Sequence, residues 1–328
     1  MRSRTLGKTR LQLTELGFGA GAIGGLYREV AREDAFATME TAWSDGLRYF
    51  DTAPFYGFGL SERRVGDFLR DKPREEFVLS TKVGKLLHPV PRSEVPDHGF
   101  VNPLSFDVAY DYSYDGIMRS FEFSLARLGL NQIDILYVHD LEVPTLGLEG
   151  YQHHFDTFMR GGRKALEELK SSGAIKAYGL GVNDVTVCLD VLTQAPLDVI
   201  LLAGRYTLLD RAAESQLLAL CEKAGTSLVI GGVFNSGILA TGAISGAHFN
   251  YEPATPDVVA RVNAMERIAK EAGASLAAAA LKFPFRHPAV VSVLIGTAKP
   301  SSLSRNVELL DVHIDDAVWP KLDAQAIR

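Results

Sequence analysis

Cysteine is nearly absent: the 328-residue chain has only Cys188 and Cys221. Cys188 falls on a helical face with Val185 and Leu192, and Cys221 on one with Leu217 and Ala224, so both read as small core residues. No CxxC or HExxH motif occurs, which argues against a structural or catalytic zinc site. No apolar run approaches the ~18 residues of a membrane span. The opening MRSRTLGKTRLQLTELGFG has no continuous apolar stretch or small-residue cleavage site, so a cytoplasmic protein is expected. Basic blocks are missing and the net charge is -6, which disfavours nucleic acid as a partner. No Pro/Ser-rich linker divides the chain, so one domain over residues 1–328 is expected, and no self-association motif stands out, leaving a monomer as the default.

What is present is apolar and regularly arranged. Hydrophobic residues make up 47% of the chain, ample for a large core. Short apolar runs alternate with stretches of helical periodicity. The runs are Leu16–Gly19, Tyr49–Asp51, Phe77–Val83, Ile133–His139, Ile175–Val182, Val199–Gly204, Leu228–Val233 and Val291–Gly296. Helices are expected from about Arg32, after a cap at Ser61, over Asp115–Leu128, near Gly162–Ser172, and over Asp184–Leu192 and Asp210–Ala224. Further helices are expected over Asp257–Ala272 and Ser275–Phe285, and from Pro300. Eight continuous apolar strands, each followed by a helix, predict a (β/α)8 TIM barrel with a long loop after strand three. Leu6–Leu13 is expected to form a hairpin under it.

Gly19, Gly21 and Gly24 match G-x-G-x-x-G after the first strand, with Asp51 ending the second, as in a Rossmann fingerprint. In that motif the helix begins among the glycines, whereas here helical periodicity starts only near Arg32. A loop at the barrel mouth is the better reading.

In such a barrel, chemistry sits at the C-terminal ends of the strands. Asp51 ends strand two, Lys82 lies at the end of strand three, His139 ends strand four, Asn183 follows strand five, and Arg205 and Tyr206 follow strand six. Tyr56 lies on the turn just beyond Asp51. Singly, each has a bland explanation as a turn cap, a solvated lysine or a core imidazole. Together they would group buried charges that are costly unless paired. A phenol titrates near 10, too high for a base at neutrality. A neighbouring ammonium is expected to lower that value, and a carboxylate to hold the ammonium charged. Asp51, Lys82 and Tyr56 therefore read as an acid/base relay, with His139 orienting the reacting oxygen.

With LGKTRLQLTELGFGAG, YFDTAPFYGFGLSE, STK, RLGLNQIDILYVHD and IGTAKPSSLSRNVELL, nearly the whole chain resembles the aldo-keto reductase superfamily. The resemblance implies a nicotinamide cofactor lying across the barrel mouth and a catalytic tetrad of Asp51, Tyr56, Lys82 and His139. It also implies that Asn183 holds the carboxamide, Tyr206 stacks on the nicotinamide, and the loop Phe234, Asn235, Ser236, Gly237 and Leu239 covers the pyrophosphate. Gly296, Thr297, Lys299, Ser302 and Asn306 would lie near the adenosine half. Many NADP-using members carry arginine where this chain has Ser302, and serine lacks that bidentate contact. NAD is therefore expected, with NADP possible if Lys299 or Arg305 compensates. Within the superfamily, the long third loop resembles that of the aldose 1-dehydrogenase, L-galactose dehydrogenase and pyridoxal 4-dehydrogenase group. That implies oxidation of a polar alcohol or cyclic hemiacetal to a lactone. His88, His98, Asp107, Tyr110 and Asp111 of the loop are candidates for substrate contact. An NADPH-dependent carbonyl reductase, a Schiff-base lyase using Lys82 and a non-catalytic cofactor-sensing module are the competing readings.

Overall fold

The eight apolar runs become eight parallel strands that close on themselves in chain order. The computed structural model describes residues 1–250 and 252–328. The strands are β1 Leu16–Gly19, β2 Tyr49–Asp51, β3 Val78–Val83, β4 Ile135–His139, β5 Ala177–Val182, β6 Val199–Ala203, β7 Ser227–Gly231 and β8 Val290–Gly296. Helices follow the strands and cover the barrel's outer face, so each strand is buried on both sides and carries an unbroken apolar run.

An N-terminal hairpin forms, but its strands, Ser3–Thr5 antiparallel to Gln12–Thr14, reach beyond the expected Leu6–Leu13, much of which is the turn between them. Its Leu6, Leu11 and Leu13 pack with Tyr49, Ile135, Tyr137, Val199 and Leu201 in one buried cluster. These leucines plug the N-terminal end of the barrel, each side chain contributing roughly 1.5–3 kcal/mol by leaving water. Cys188 and Cys221 are buried free thiols in the main core, between strands and helices.

Several helix boundaries depart from expectation. Ser61 is not a cap: the helix is Leu60–Leu69, preceded by Gly59 at φ 94°. The Ser61 hydroxyl instead donates to the Ala20 carbonyl at 2.8 Å and lies 2.8 Å from Thr52 Oγ1. Burial against the ends of β1 and β2 captures it. The helix expected over Asp210–Ala224 is a short 3-10 turn, Ala212–Glu214, followed by Leu217–Ala224. There Asp210 accepts from the Ala212 amide and from Arg205, which holds a turn in place of a first helical turn. An unforeseen helix, Val143–Thr157, precedes a π turn at Phe158–Gly162 and the expected helix, now Arg163–Ser171. The loop after β3 is not wholly irregular either: Lys85–Pro89 and Phe106–Tyr110 pair as an antiparallel ribbon.

Candidate active site

Register explains how the polar residues meet. Asp51 pairs with Ser80 across β2 and β3, and Lys82 pairs with Tyr137 across β3 and β4. Residues two apart on a strand share a face, so Ser80 and Lys82 look inward together, as do Tyr137 and His139. Tyr137 OH is 2.9 Å from Tyr49 OH, which is 3.1 Å from Ser80 Oγ; Ser80 Oγ donates to Asp51 Oδ1 at 2.7 Å. A buried polar chain thus climbs from the barrel interior to its mouth.

At the top of this chain stands Lys82, 2% exposed. Its ammonium donates to Asp51 Oδ2 at 2.7 Å, to the Thr52 carbonyl at 2.9 Å and to Tyr56 OH at 3.0 Å. All three of its hydrogens are placed. The His139 ring stands edge-on to Tyr56 with centroids 5.9 Å apart. The structure therefore brings the four expected residues Asp51, Tyr56, Lys82 and His139 into one group.

The glycines of the Rossmann-like motif serve this group. Gly19 ends β1, and Gly21 and Gly24 lie in the loop after it, with a 3-10 turn over Ala22–Gly24. A Cβ on Gly24 would sit 2.9 Å from the Tyr56 carbonyl carbon and 3.1 Å from the Gly57 nitrogen. The bare backbone at Gly24 lets the Tyr56 turn lie against the loop after β1.

Electrostatics correct one expectation. Burial pushes the Tyr56 phenol above its ordinary value, and Lys82 opposes this only in part. The cost of desolvating a phenolate exceeds the help of one ammonium that Asp51 already neutralises. The phenol is therefore protonated at neutral pH. Burial pulls the Lys82 ammonium down, but Asp51 and Tyr56 outweigh it and hold Lys82 above its ordinary value, firmly charged. Burial, then Lys85 and Lys82, hold His139 well below the usual imidazole range, so its ring is neutral.

Two residues near this group went unnoticed in the sequence. Asp140, directly after His139, accepts from Lys85 at 2.5 Å and lies 3.4 Å from His139 Nε2. Glu142 accepts from the Asn183 amide nitrogen at 2.7 Å and from its side chain at 3.1 Å. Their signal was the HDLE string itself, in which acids recur at the end of a barrel strand.

The remaining candidates divide. Asn183 sits beside the group, its side-chain amide shared between Asp140 and Glu142. The Tyr206 ring packs 5.0 Å from Phe283 and 6.4 Å from His287, both before β8, and is only 3% exposed. This is the ordinary core packing of an aromatic. Phe234, Asn235, Ser236 and Gly237 form a tight loop after β7 that leads into the short helix Ile238–Thr241, which holds Leu239; Asn235, Ser236 and Gly237 are successively left-handed at φ 45°, 60° and 95°. Thr207 donates to Asn235 Oδ1 at 2.5 Å, and the Asn235 side chain donates to the Gly204 carbonyl, which hold the strained turn. Gly296, Thr297 and Lys299 lead from β8 into the helix Pro300–Leu309, which carries Ser302 and Asn306. Of the loop candidates, His88 and Asp107 are exposed, and Asp111 caps the turn at Ser113. His98 packs 5.3 Å from Phe55, and Tyr110 lies near Lys85, so these two border the group.

Residues 15–327 match the Aldo/keto reductase family. The chain belongs to that family and is an oxidoreductase acting on CH–OH groups. It is 46% identical over 334 residues to pyridoxal 4-dehydrogenase of Microbacterium luteolum, covering 99% of this chain and 97% of that one. D-threo-aldose 1-dehydrogenase of a Pseudomonas species is 37% identical over 317 residues, covering 95% and 94%. L-galactose dehydrogenase of Arabidopsis thaliana is 29% identical over 331 residues, covering 98% and 93%. In fold the chain resembles an aldo-keto reductase of Bacillus halodurans in its holo form, with a TM-score of 0.78 at 24% identity, covering 100% of this chain and 97% of that one. Among the described residues no helix is long and apolar enough to cross a membrane.

A nicotinamide cofactor is the family's redox partner. The mouth has features that fit one. The helix Pro300–Leu309 starts without a side-chain cap and has Lys299 exposed at its N-cap, which suits a phosphate group. Asn183 presents a side-chain amide beside His139's neighbour Asp140.

Proposed function

We propose that the chain oxidises a cyclic hemiacetal to a lactone, the substrate being pyridoxal or an aldose of the D-threo class, with NAD as the cofactor. The observation that carries this reading is the contact of Tyr56 OH with Lys82 Nζ at 3.0 Å, backed by Asp51 at 2.7 Å and flanked by His139. The names of the relatives at 46% and 37% identity support the substrate class. Bound NAD would supply the hydride acceptor. Once ionised, Tyr56 receives the hydroxyl proton, directly or through His139; Lys82 stabilises that phenolate before it takes the proton; Asp51 fixes Lys82 in place. The neutral imidazole of His139 orients the reacting oxygen without adding charge. Small polar molecules are the expected partners, and the cytoplasm the expected location.

A panel of L-fucose, D-arabinose, L-galactose and pyridoxal with NAD, followed by absorbance of the reduced cofactor, tests this. Turnover of at least one member is expected, and none at all across the panel would sink the substrate assignment.

A second reading, carbonyl reduction with NADPH, draws on the protonated state of Tyr56, which suits a proton donor. Relative rates in the two directions separate the two. The Schiff-base alternative is disfavoured because Lys82 is held protonated, and an ammonium has no lone pair for imine formation.

NAD preference rests on Ser302, half-buried in the first turn of its helix. Ser302→Arg is expected to improve NADP affinity relative to NAD. A charge-assisted hydrogen bond is worth about 1.5–3 kcal/mol, or roughly 10- to 150-fold. Paired titrations of both dinucleotides check it, and a wild-type preference for NADP would overturn the cofactor assignment.

A further inference from the structure

Lys85 is a buried cation that the tetrad does not use. It is 2% exposed, on the first strand of the antiparallel ribbon after β3. Its ammonium donates to Asp140 Oδ2 at 2.5 Å and lies 4.2 Å from the Phe55 ring centre and 5.7 Å from that of Tyr110. Asp140 has a left-handed backbone at φ 47°, a conformation that costs a non-glycine residue energy and persists only where its surroundings enforce it. Its backbone amide donates to the Gly181 carbonyl at 2.9 Å, tying it to β5. The same carboxylate has Oδ2 3.4 Å from His139 Nε2, and Oδ1 accepts from Asn183 Nδ2 at 3.3 Å. One carboxylate, carried on a strained backbone, therefore meets the imidazole, the amide and a buried ammonium at once.

We propose that Lys85 and Asp140 form a positioning pair, in which Asp140 orients His139 and Asn183 and Lys85 cancels the carboxylate charge so that the imidazole beside it stays neutral. The inference rests on His139 taking part in the proposed reaction. An ionised carboxylate this close to an imidazole favours the imidazolium, which could not accept a proton and would set a second positive charge beside Lys82. The groups facing His139 are Lys82 from β3, Tyr56 from the turn after β2, Lys85 from the ribbon and Asp140 from its own strand end. Tyr112 OH donates to the His139 carbonyl at 2.7 Å and so fixes the backbone. Of these groups Asp140 is the one carboxylate, and Lys85 is the cation bound to it. The depressed titration of His139, to which Lys85 contributes, agrees with this arrangement.

The test follows the imidazole resonance of His139 against pH by NMR in the full chain, assigned by its loss in His139→Gln. In Lys85→Met the freed carboxylate is expected to raise the His139 midpoint by about 1–3 pH units. The acid limb of kcat for oxidation moves up with it. Lys85→Arg, which restores the charge, returns both to wild-type positions. A His139 resonance in Lys85→Met that tracks the wild type wherever both are folded overturns the proposal, as does a uniform loss of kcat with no movement of the limb. Lys85→Met/Asp140→Asn strands no charge and gives a second reading if the single variant does not fold: a wild-type titration supports the proposal, and a raised midpoint refutes it. The NMR arm needs no substrate, so failure of the substrate panel leaves this test intact.

Discussion

Tyr56→Phe is expected to lose roughly 10²- to 10⁴-fold in kcat, the range that a positioned proton-transfer group contributes, while dinucleotide binding stays at its wild-type level. The variant deletes one oxygen and little else. Lys82 Nζ keeps Asp51 and the Thr52 carbonyl as acceptors, so no buried ammonium is stranded. The phenyl ring retains its neighbours Phe100 and His139. Stability is therefore preserved, and the loss falls on chemistry alone. Equilibrium titration of the dinucleotide beside steady-state kinetics measures both quantities. Near-native turnover in this variant would falsify the role given to Tyr56. The pH dependence gives a further check. Because burial holds the phenol above its ordinary value, oxidation by the wild type rises with pH as the proton acceptor is freed, and reduction falls. An oxidation rate that declines from neutral to alkaline pH, with the protein still folded, contradicts the assignment.

Lys82→Met is expected to remove activity and also to destabilise the fold. Asp51 and Lys82 are each 2% exposed and joined at 2.7 Å. Breaking such a pair from one side typically costs about 3–5 kcal/mol, because the remaining charge is buried without its partner. Ser80 still donates to Asp51 Oδ1, but Oδ2 loses its donor, and so does the Thr52 carbonyl. Burial already holds the Asp51 carboxyl above its ordinary value against the opposing pull of Lys82 and Ser80; with the ammonium gone only Ser80 opposes burial, and the folded-state titration rises further above the unfolded value. A raised carboxyl costs stability above the ordinary carboxylate range and recovers it below. The deficit is thus expected to grow as pH rises from about 4 toward 8. Denaturant midpoints across that range measure it. Asp51→Asn/Lys82→Met, with neither charge, recovers most of the loss. A single variant as stable as wild type at neutral pH would show that the pair is not held as described.

Much of this site was legible residue by residue. Asp51, Lys82 and His139 lie at strand ends, and their convergence follows from eight apolar runs of similar length in sequence order. Tyr56 was legible because Pro54 and Gly57 end any strand and throw the chain into a turn over the same rim. Lys85 and Asp140 were not. In the sequence, Lys85 is one more polar residue beyond a strand, and nothing local says that a ribbon formed with Phe106–Tyr110 buries it. The expected direction of the Tyr56 titration failed for a related reason: charge pairing can be read from residue types, whereas the penalty of burial depends on how completely the turn is covered. Tyr206 is a third case. Its position after β6 was plain, but the direction of its ring depended on Phe283, distant in the chain.

Periodicity along the chain was enough to settle the barrel, because a strand covered on both faces must be apolar throughout and a helix on its outside must be apolar on one side. It also placed the acid, the amine and the imidazole at a common rim, since side chains alternate strictly along a strand. Contacts between segments far apart in the chain governed the rest: which cation meets Asp140, where the Tyr206 ring packs, and how much water reaches Tyr56. Those outcomes depend on desolvation and packing in three dimensions, which no local pattern encodes.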